Sequence, residues 1–307
     1  MVFSNKRLDL DGLKPTINSI PIEKQVVSRF LGVLIDNKLS WKQHITALSK
    51  KLNQNAGILI KVKGIFPLPV LKILYHSFIQ SHLNYCPLIW GLGSKSSLNT
   101  SFVAQKKSLH VIAPGFVRFW YDKKTGQTPS HTKHHFQELN LPTVFTLVLQ
   151  NVLIFMQKIH TSNAPQPIIN MFSSSNDIIP GTCYNYFNIA PTRLSCQTHS
   201  IFHEGPRLFN DILPELEQYF ADKNHNTKVS QSYLKSTNNK PFKRNIKDYL
   251  IHVQGRGDVE EWEFNNFRLY KGSRSSTRNK NNCISRTNCT ETNILRRNCL
   301  ADLLEDE

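Results

Sequence analysis

Residues 26–59 read VVSRFLGVLIDNKLSWKQHITALSKKLNQNAGIL and change from a strand-like to a helix-like pattern within that span. The first ten residues are dense in β-branched side chains, which predicts a buried strand with a close backbone approach at Gly32. The turn pair Asp36-Asn37 follows, so we expect a short strand pair here. Ser40, with Gln43 three residues later, matches a capping box that would begin a helix. The stretch therefore predicts a β-element followed directly by a helix.

The predicted first helix carries one apolar stripe at helical spacing. Its members are Trp41, Ile45, Leu48, Leu52, Ala56 and Leu59. Lys42, Lys50 and Lys61 lie off this stripe, so we expect their ammonium groups to face solvent or a ligand.

Further helices are predicted along the chain. Pro67 and Pro69 would begin a second helix, antiparallel to the first, whose paired apolar positions give it a wide buried face. A third, Leu98–Ile112, would place Phe102 on one side and the Lys106-Lys107 pair on the other.

Beyond the turn-rich residues 116–135, the pattern predicts a short helix over 134–140 and a long buried one over 142–158. Its apolar core is too short to span a bilayer, so no membrane partner is expected. A Ser/Asn/Gly-rich stretch, 173–181, indicates a boundary before a small mixed unit. After residue 253 the composition is polar and basic, which predicts a disordered tail.

Positive charge is distributed unevenly over the 307 residues. Lys and Arg number 38 against 22 Asp and Glu, for a formal charge of +16. No acidic residue occurs between Asp36 and Asp122, although ten lysines and Arg118 do. Ordinary helical surfaces mix signs, because like charges one turn apart repel. We expect these helices to face a nucleic-acid backbone; the alternative is a basic, solvated surface.

Several separate blocks resemble the reverse transcriptases of LINE-type, Jockey-like non-LTR retrotransposons, in the region after the polymerase active site. The matching residues are Arg29-Phe30-Leu31-Gly32-Val33 with Ile35-Asp36, Leu39-Ser40-Trp41 with His44-Ile45, Leu74-Tyr75 with Tyr85-Cys86 and Trp90-Gly91, Gln105-Lys106-Lys107 with Leu109 and Val111-Ile112, Ser200-Ile201-Phe202 with Gly205-Pro206-Arg207-Leu208-Phe209-Asn210 and Leu213-Pro214, and Phe242-Lys243-Arg244 with Tyr249-Leu250. Phe209 stands where the family usually has tryptophan, and His110 where it usually has arginine.

The resemblance implies a mainly α chain: a short β-element, a thumb-like helical bundle, a small α+β unit and a disordered tail. The implied segments are palm and primer-grip strands (1–37), the thumb-like bundle (38–115), a further helical layer (116–172), a post-thumb α+β unit (182–252) and the basic tail (253–307). Phe30, Leu31 and Gly32 would be primer-grip-like. Lys42, Lys50, Lys61, Lys106 and Lys107 would contact RNA or DNA, most simply the backbone of an RNA–DNA duplex.

The polymerase chemistry of the family needs carboxylates that hold two Mg²⁺ ions. The resemblance places these before Met1, so we expect a fragment with no cofactor and no polymerase activity of its own. Asp9 and Asp11 are most simply a solvated loop. The acidic group at 258–263 is expected to balance nearby arginines. Two alternatives are a piece that completes a polymerase in trans on another copy's palm domain, and a decayed copy without selected function.

The spacing of some cysteines and histidines would permit one metal site. Cys196, His199 and His203, with Cys183 upstream, could form a Cys2His2 zinc site. We expect instead that they carry no metal, that the tail cysteines are too widely spaced, and that His131, His134 and His135 lie at the surface. No signal peptide is recognisable, so we expect reduced thiols in an intracellular protein.

Overall fold

The computed structural model of the protein describes residues 16–22, 25–113, 132–179, 185–193, 195–224 and 239–255. All of them belong to one compact unit, Met1–Leu269. The described part is mainly helical, with small antiparallel sheets. The predicted class, with a short β-element before a helical bundle and an α+β part after it, is confirmed. The predicted tail lies almost wholly outside the described residues, as do Asp9 and Asp11.

The strands are β1 (Thr16–Ile17), β2 (Ile20–Pro21), β3 (Val27–Phe30), β4 (Val33–Asp36), β5 (Ser174–Ile178) and β6 (Asn185–Phe187), paired consecutively and antiparallel. The helices are α1 (Lys42–Val62), α2 (Leu68–Tyr75), α3 (Ser81–Leu83), α4 (Pro87–Trp90), α5 (Lys95–Ile112), α6 (Lys133–Glu138), α7 (Val144–His160), α8 (Gln166–Ile169), α9 (Ser195–Thr198), α10 (Ile201–Asn224) and α11 (Asn239–Gly255). A π-helical turn, His76–Gln80, joins α2 to α3.

The expected short strand pair is confirmed, because β3 and β4 form a hairpin within 27–36, but the run at 26–35 is not one buried strand. Leu31 and Gly32 form the hairpin's two-residue turn with φ angles of 45° and 81°. Positive φ at both turn positions suits the twist of a tight hairpin, and glycine adopts it readily. The close approach predicted at Gly32 comes from the ring of Tyr85, which lies 3.4 Å from where a β-carbon would stand.

The start of α1 is organised by Asp36, and the predicted Ser40/Gln43 capping box is wrong. The Asp36 carboxylate accepts the backbone N–H groups of Lys38, Ser40 and Trp41 at 2.9–3.0 Å. Ser40 turns its hydroxyl toward the same carboxylate, 3.2 Å away. Burial alone would raise the pKa of Asp36, but these hydrogen bonds outweigh it and hold the pKa below its usual value. Trp41 precedes the helix with a left-handed φ of 61°.

Three helical stretches form a bundle. The predicted stripe of α1 is buried at Ile45, Leu52 and Leu59. The Asn55 side chain donates 2.6 Å to the carbonyl of Phe78, where the chain returns antiparallel to α1. α5 then runs parallel to α1 along their shared contact, which includes Ser49 and Ser101.

A second layer of α7, α10 and α11 covers the far side of α5. The predicted long apolar helix is α7, whose N-cap Thr143 accepts the N–H of Thr146. Phe102 of α5 stacks on Phe136 and meets Phe145 edge to face, which joins α5, α6 and α7. No described helix is long and apolar enough to cross a membrane.

Part of the stretch interpreted as a boundary, 173–181, forms strand β5. β5 pairs with β6 in an irregular antiparallel hairpin. Asn210 of α10 holds β6 through both backbone groups of Phe187, at 2.9 and 3.0 Å. Contacts of α7 with α10 and α11 join residues assigned to different predicted segments, so these segments pack as neighbours.

Gln105 ties the bundle to the second layer from inside the core. Its side chain is fully buried. The amide nitrogen donates to the Tyr75 hydroxyl at 3.1 Å and to the Pro142 carbonyl at 2.9 Å. The amide oxygen accepts the N–H of Val144 at 2.8 Å. One side chain therefore satisfies three groups that water cannot reach.

Gln254 of α11 acts on the same turn from the other side. Its oxygen accepts the N–H of Thr143 at 3.0 Å and the hydroxyl of Thr146 at 2.7 Å. Its nitrogen donates to the carbonyl of Leu141 at 3.0 Å. The turn 141–144 is thus held by two glutamines that are far apart in the sequence.

Replacing Gln105 by leucine should destabilise the fold strongly. Each buried group left without its hydrogen bond costs roughly 1–3 kcal/mol, so we expect a loss of about 3 kcal/mol or more in the free energy of unfolding. Urea denaturation measures it. Gln54→Leu, at an exposed position of α1, should change stability by less than about 0.5 kcal/mol. Equal midpoints for the two variants would contradict this role for Gln105.

Candidate nucleic-acid interface

Lys42 and Lys50 line one open groove between α1 and α5. The groove has a volume of about 720 Å³. Thr46, Ser96 and Thr100 add hydroxyl groups to its lining. Ammonium and hydroxyl groups in alternation are the chemistry that contacts phosphate oxygens without reading base sequence. The structure thus brings together two of the five predicted lysines with hydroxyls that sequence reasoning missed.

Lys61 continues this row toward the end of α1. It lies in the last turn of the helix and is exposed. It follows Lys50 by eleven residues, which is close to three helical turns or about 16 Å. The two lysines therefore lie on the same side of α1. Lys42, Lys50 and Lys61 together extend over about 28 Å of helix length.

Lys106 and Lys107 behave differently from each other. Lys107 is exposed, whereas Lys106 is half-buried, with its ammonium 4.8 Å above the ring of Phe102. The prediction that the lysine pair lies on the side opposite Phe102 is therefore wrong for Lys106. Residues four apart share a helix face, which permits this cation–π contact. Only Lys107 of the pair presents its charge fully to solvent.

The electrostatic character of this surface is one-sided. Residues 37–113 contain ten lysines and no Asp or Glu. Among the described residues, Arg207 pairs with Glu204 and Asp211 on its own helix, α10. Residues 37–113 supply no carboxylate of their own to offset the repulsion among their lysines.

Phe30, Leu31 and Gly32 lie together at the tip of the β3–β4 hairpin. The side chains of Phe30 and Leu31 are 63% and 76% exposed. The tip is anchored from behind, because the Tyr85 hydroxyl donates to the carbonyl of Leu31 at 2.5 Å. The hairpin thus presents two apolar side chains on a held turn.

The zinc ligands drawn from the sequence are not gathered together. Cys196 and His199 line one cavity, but the ring of His203 donates from Nδ1 to the carbonyl of Ala190 at 3.1 Å. Cys183 lies outside the described residues. Within the described ranges, no three His, Cys, Asp or Glu side chains form a group that could hold a metal ion.

The expectation that His135 lies at the surface is wrong. His134 is exposed, as predicted, and His131 lies outside the described residues, but His135 is buried. Its ring meets that of His110 at right angles with 5.4 Å between centroids. Burial, with His135 and Lys106 nearby, lowers the pKa of His110 to about 4. The position where the resembling family usually has arginine thus holds a buried histidine.

The block at 205–210 packs against neighbouring elements. A β-carbon at Gly205 would stand 2.8 Å from the sulfur of Met156, so α10 approaches α7 closely there. The guanidinium of Arg207 bridges Glu204 and Asp211 on its own helix. Phe209 is fully buried and meets Phe187 edge to face. Gly205 thus permits the close approach of α10 to α7, and Phe209 packs against β6.

Comparisons of the chain with known protein families, with curated proteins and with solved structures found no match. The resemblance to reverse transcriptases therefore stays a prediction that rests on the residues quoted above. The lysine groove, by contrast, is a feature of the fold itself.

Acid should weaken the fold through His110. Its pKa in the unfolded chain is about 6.5 and is lower in the folded one, so the unfolded state takes up a proton first. Stability should fall as the pH drops from about 6.5 toward 4, by roughly 1–3 kcal/mol for this group. Urea titrations at several pH values should show a shallower dependence for His110→Leu. An unchanged slope in His110→Leu would contradict the assignment.

Proposed function

We propose that this chain binds the phosphate backbone of RNA or DNA through α1 and α5, without sequence specificity. The observation that carries the proposal is the groove in which Lys42 and Lys50 stand among hydroxyl groups, on a segment without carboxylates. Lys61 extends the same surface. Lysine contacts to phosphates release condensed counterions, which supplies most sequence-independent affinity.

The setting that we propose is the thumb of a non-LTR reverse transcriptase. In such an enzyme these helices would hold the template–primer duplex beside the palm domain. Phe30, Leu31 and Gly32 would then act near the primer. Within that setting, the role that we assign to this chain is binding of the duplex backbone.

Binding to an RNA–DNA hybrid should weaken steeply with salt. We expect log Kobs to fall linearly with log salt concentration, with a slope reduced by nearly one for each phosphate contact removed. Lys50→Ala with Lys61→Ala should therefore lower both the affinity and the slope. Fluorescence anisotropy between about 50 and 200 mM salt measures both.

The matched control is Lys243→Ala with Lys247→Ala. These two exposed lysines lie on α11, which packs on α7, so the variant loses the same charge away from the groove. Its affinity should fall much less. Binding that does not depend on salt, or an equal loss of affinity in both double variants, would contradict the proposal.

A second candidate function is docking onto a palm domain supplied in trans. It is favoured by the exposed apolar side chains at the start of the described chain. Val26, Phe30 and Leu31 are each more than 60% exposed, and Ile17 and Ile20 are similar. Soluble proteins rarely expose large contiguous apolar patches unless a partner binds there, and Phe30 and Leu31 are adjacent at the hairpin tip. The surface would take the place where the palm strands of an intact enzyme continue.

Primer extension tests this docking. A palm-containing fragment of a related reverse transcriptase that lacks its own thumb should gain processivity when this chain is added. Phe30→Ser with Leu31→Ser should abolish the gain, because it removes the apolar contact. Met171→Ser with Ile178→Ser changes two residues of comparable exposure elsewhere and should leave the gain intact. Equal activity with either variant would exclude the hairpin as the docking surface.

A further inference from the structure

A second cavity adjoins one end of the lysine groove. Its volume is about 580 Å³. It is bounded by the loop before α1, the segment from α4 to α5, and the start of α10. Lys42, Ser96 and Ser97 line both this cavity and the groove. A ligand that follows the groove could therefore continue into the cavity.

The polar lining of the cavity favours an anion. Lys38 and Lys42 supply two ammonium groups, and His199 an imidazole. No carboxylate is among the described residues that line it. The nearest acidic side chain in sequence, Asp36, is buried and already accepts three backbone N–H groups. The described side chains that line the cavity therefore include two ammonium groups and no carboxylate, and the nearest negative charge in sequence is the Asp36 carboxylate that holds the loop before α1.

Hydroxyl groups add donors beside these charges. Ser96 and Ser97 stand at the cavity wall and are connected through Ser94. The long helices α1, α5 and α10 all begin at this cavity. The amides at a helix start carry partial positive charge, which adds to the effect of the two lysines.

One wall of the cavity is apolar. Trp41 and Phe202 both line it, together with Leu88 and Ile89. Phe202 is 46% exposed, so part of its ring is available for contact. Aromatic faces of this kind stack on nucleobases. A cavity of this size also falls in the range of small-ligand sites, about 300–1,000 Å³.

We infer that this cavity binds one phosphate-bearing nucleotide. Lys38 and Lys42 hold the phosphate, Ser96 and Ser97 donate to its oxygens, and Trp41 with Phe202 contacts the base. The inference rests on the proposed function in that it extends the groove by one specific nucleotide pocket. Lys38 lines only the cavity and Lys50 only the groove, so the two sites can be tested separately.

Titration of the full chain with adenosine 5′-monophosphate tests the cavity. We expect saturable binding by calorimetry and a change of tryptophan fluorescence that Trp41→Phe removes. Adenosine alone and inorganic phosphate alone should each bind at least about tenfold more weakly, since each uses half of the site.

Lys38→Ala should weaken binding of the mononucleotide about tenfold, as expected for a lost charge-assisted hydrogen bond. It should leave duplex binding in the groove within about twofold. Lys50→Ala should weaken duplex binding and leave mononucleotide binding within about twofold. Lys51→Ala, an exposed lysine of α1 that lines neither site, is the control for charge alone. Thermal melts of each variant confirm that the fold is kept.

The source of the nucleotide is distinguished with two single-stranded oligonucleotides, one with a 5′-phosphate and one with a 5′-hydroxyl. Tighter binding of the phosphorylated strand, lost in Lys38→Ala, assigns the cavity to a strand end. Equal binding of both assigns it to a free mononucleotide. Absence of mononucleotide binding, or the same affinity in Lys38→Ala with Lys42→Ala, overturns the inference, while the Lys50→Ala result on duplexes still decides the proposed function.

Discussion

Two buried glutamine side chains hold the turn 141–144, and the arrangement of both helical layers depends on them. Gln105 reaches the turn from α5 and Gln254 from α11, and together they satisfy its amides and carbonyls. A buried turn without these bonds would leave several backbone groups unpaired, at a cost comparable to the net stability of a domain. These two glutamines, here called the glutamine clamp, therefore determine where α7 begins and how α11 packs against it.

Because the glutamine clamp packs one side of α5 against the second layer, the groove on the other side stays in contact with solvent. α5 uses one side for Gln105, Phe102 and its contacts with α7. The other side meets α1 and leaves the groove with Lys42 and Lys50 in contact with solvent. The lysines that are buried or stacked, such as Lys106, lie toward the packed side. The candidate interface is thus the part of the bundle that the second layer does not cover.

Groove and cavity form one continuous basic surface with two kinds of wall. The groove combines lysines with hydroxyls, which suits a backbone. The cavity adds Trp41 and Phe202, which suits a base. The loop that joins them is held by the carboxylate of Asp36, which accepts hydrogen bonds from Lys38, Ser40 and Trp41. One acidic side chain therefore shapes the loop that brings Lys38 and Trp41 to the cavity wall.

The sequence by itself determined the helices α1, α2, α5 and α7, the stripe of α1, the burial of α7 and the excess of lysine, because these depend on local periodicity and composition. It did not predict the long helix α10. The four-residue spacing on one helix would have placed Lys106 beside Phe102. Spacing could not show that His135 is buried against His110, or that Ser40 serves Asp36 instead of capping α1. Nor could it place Cys196 and His199 beside Lys38. Only the tertiary structure decided these, because each depends on hydrogen bonds and packing between residues whose separation along the chain sets no distance in space.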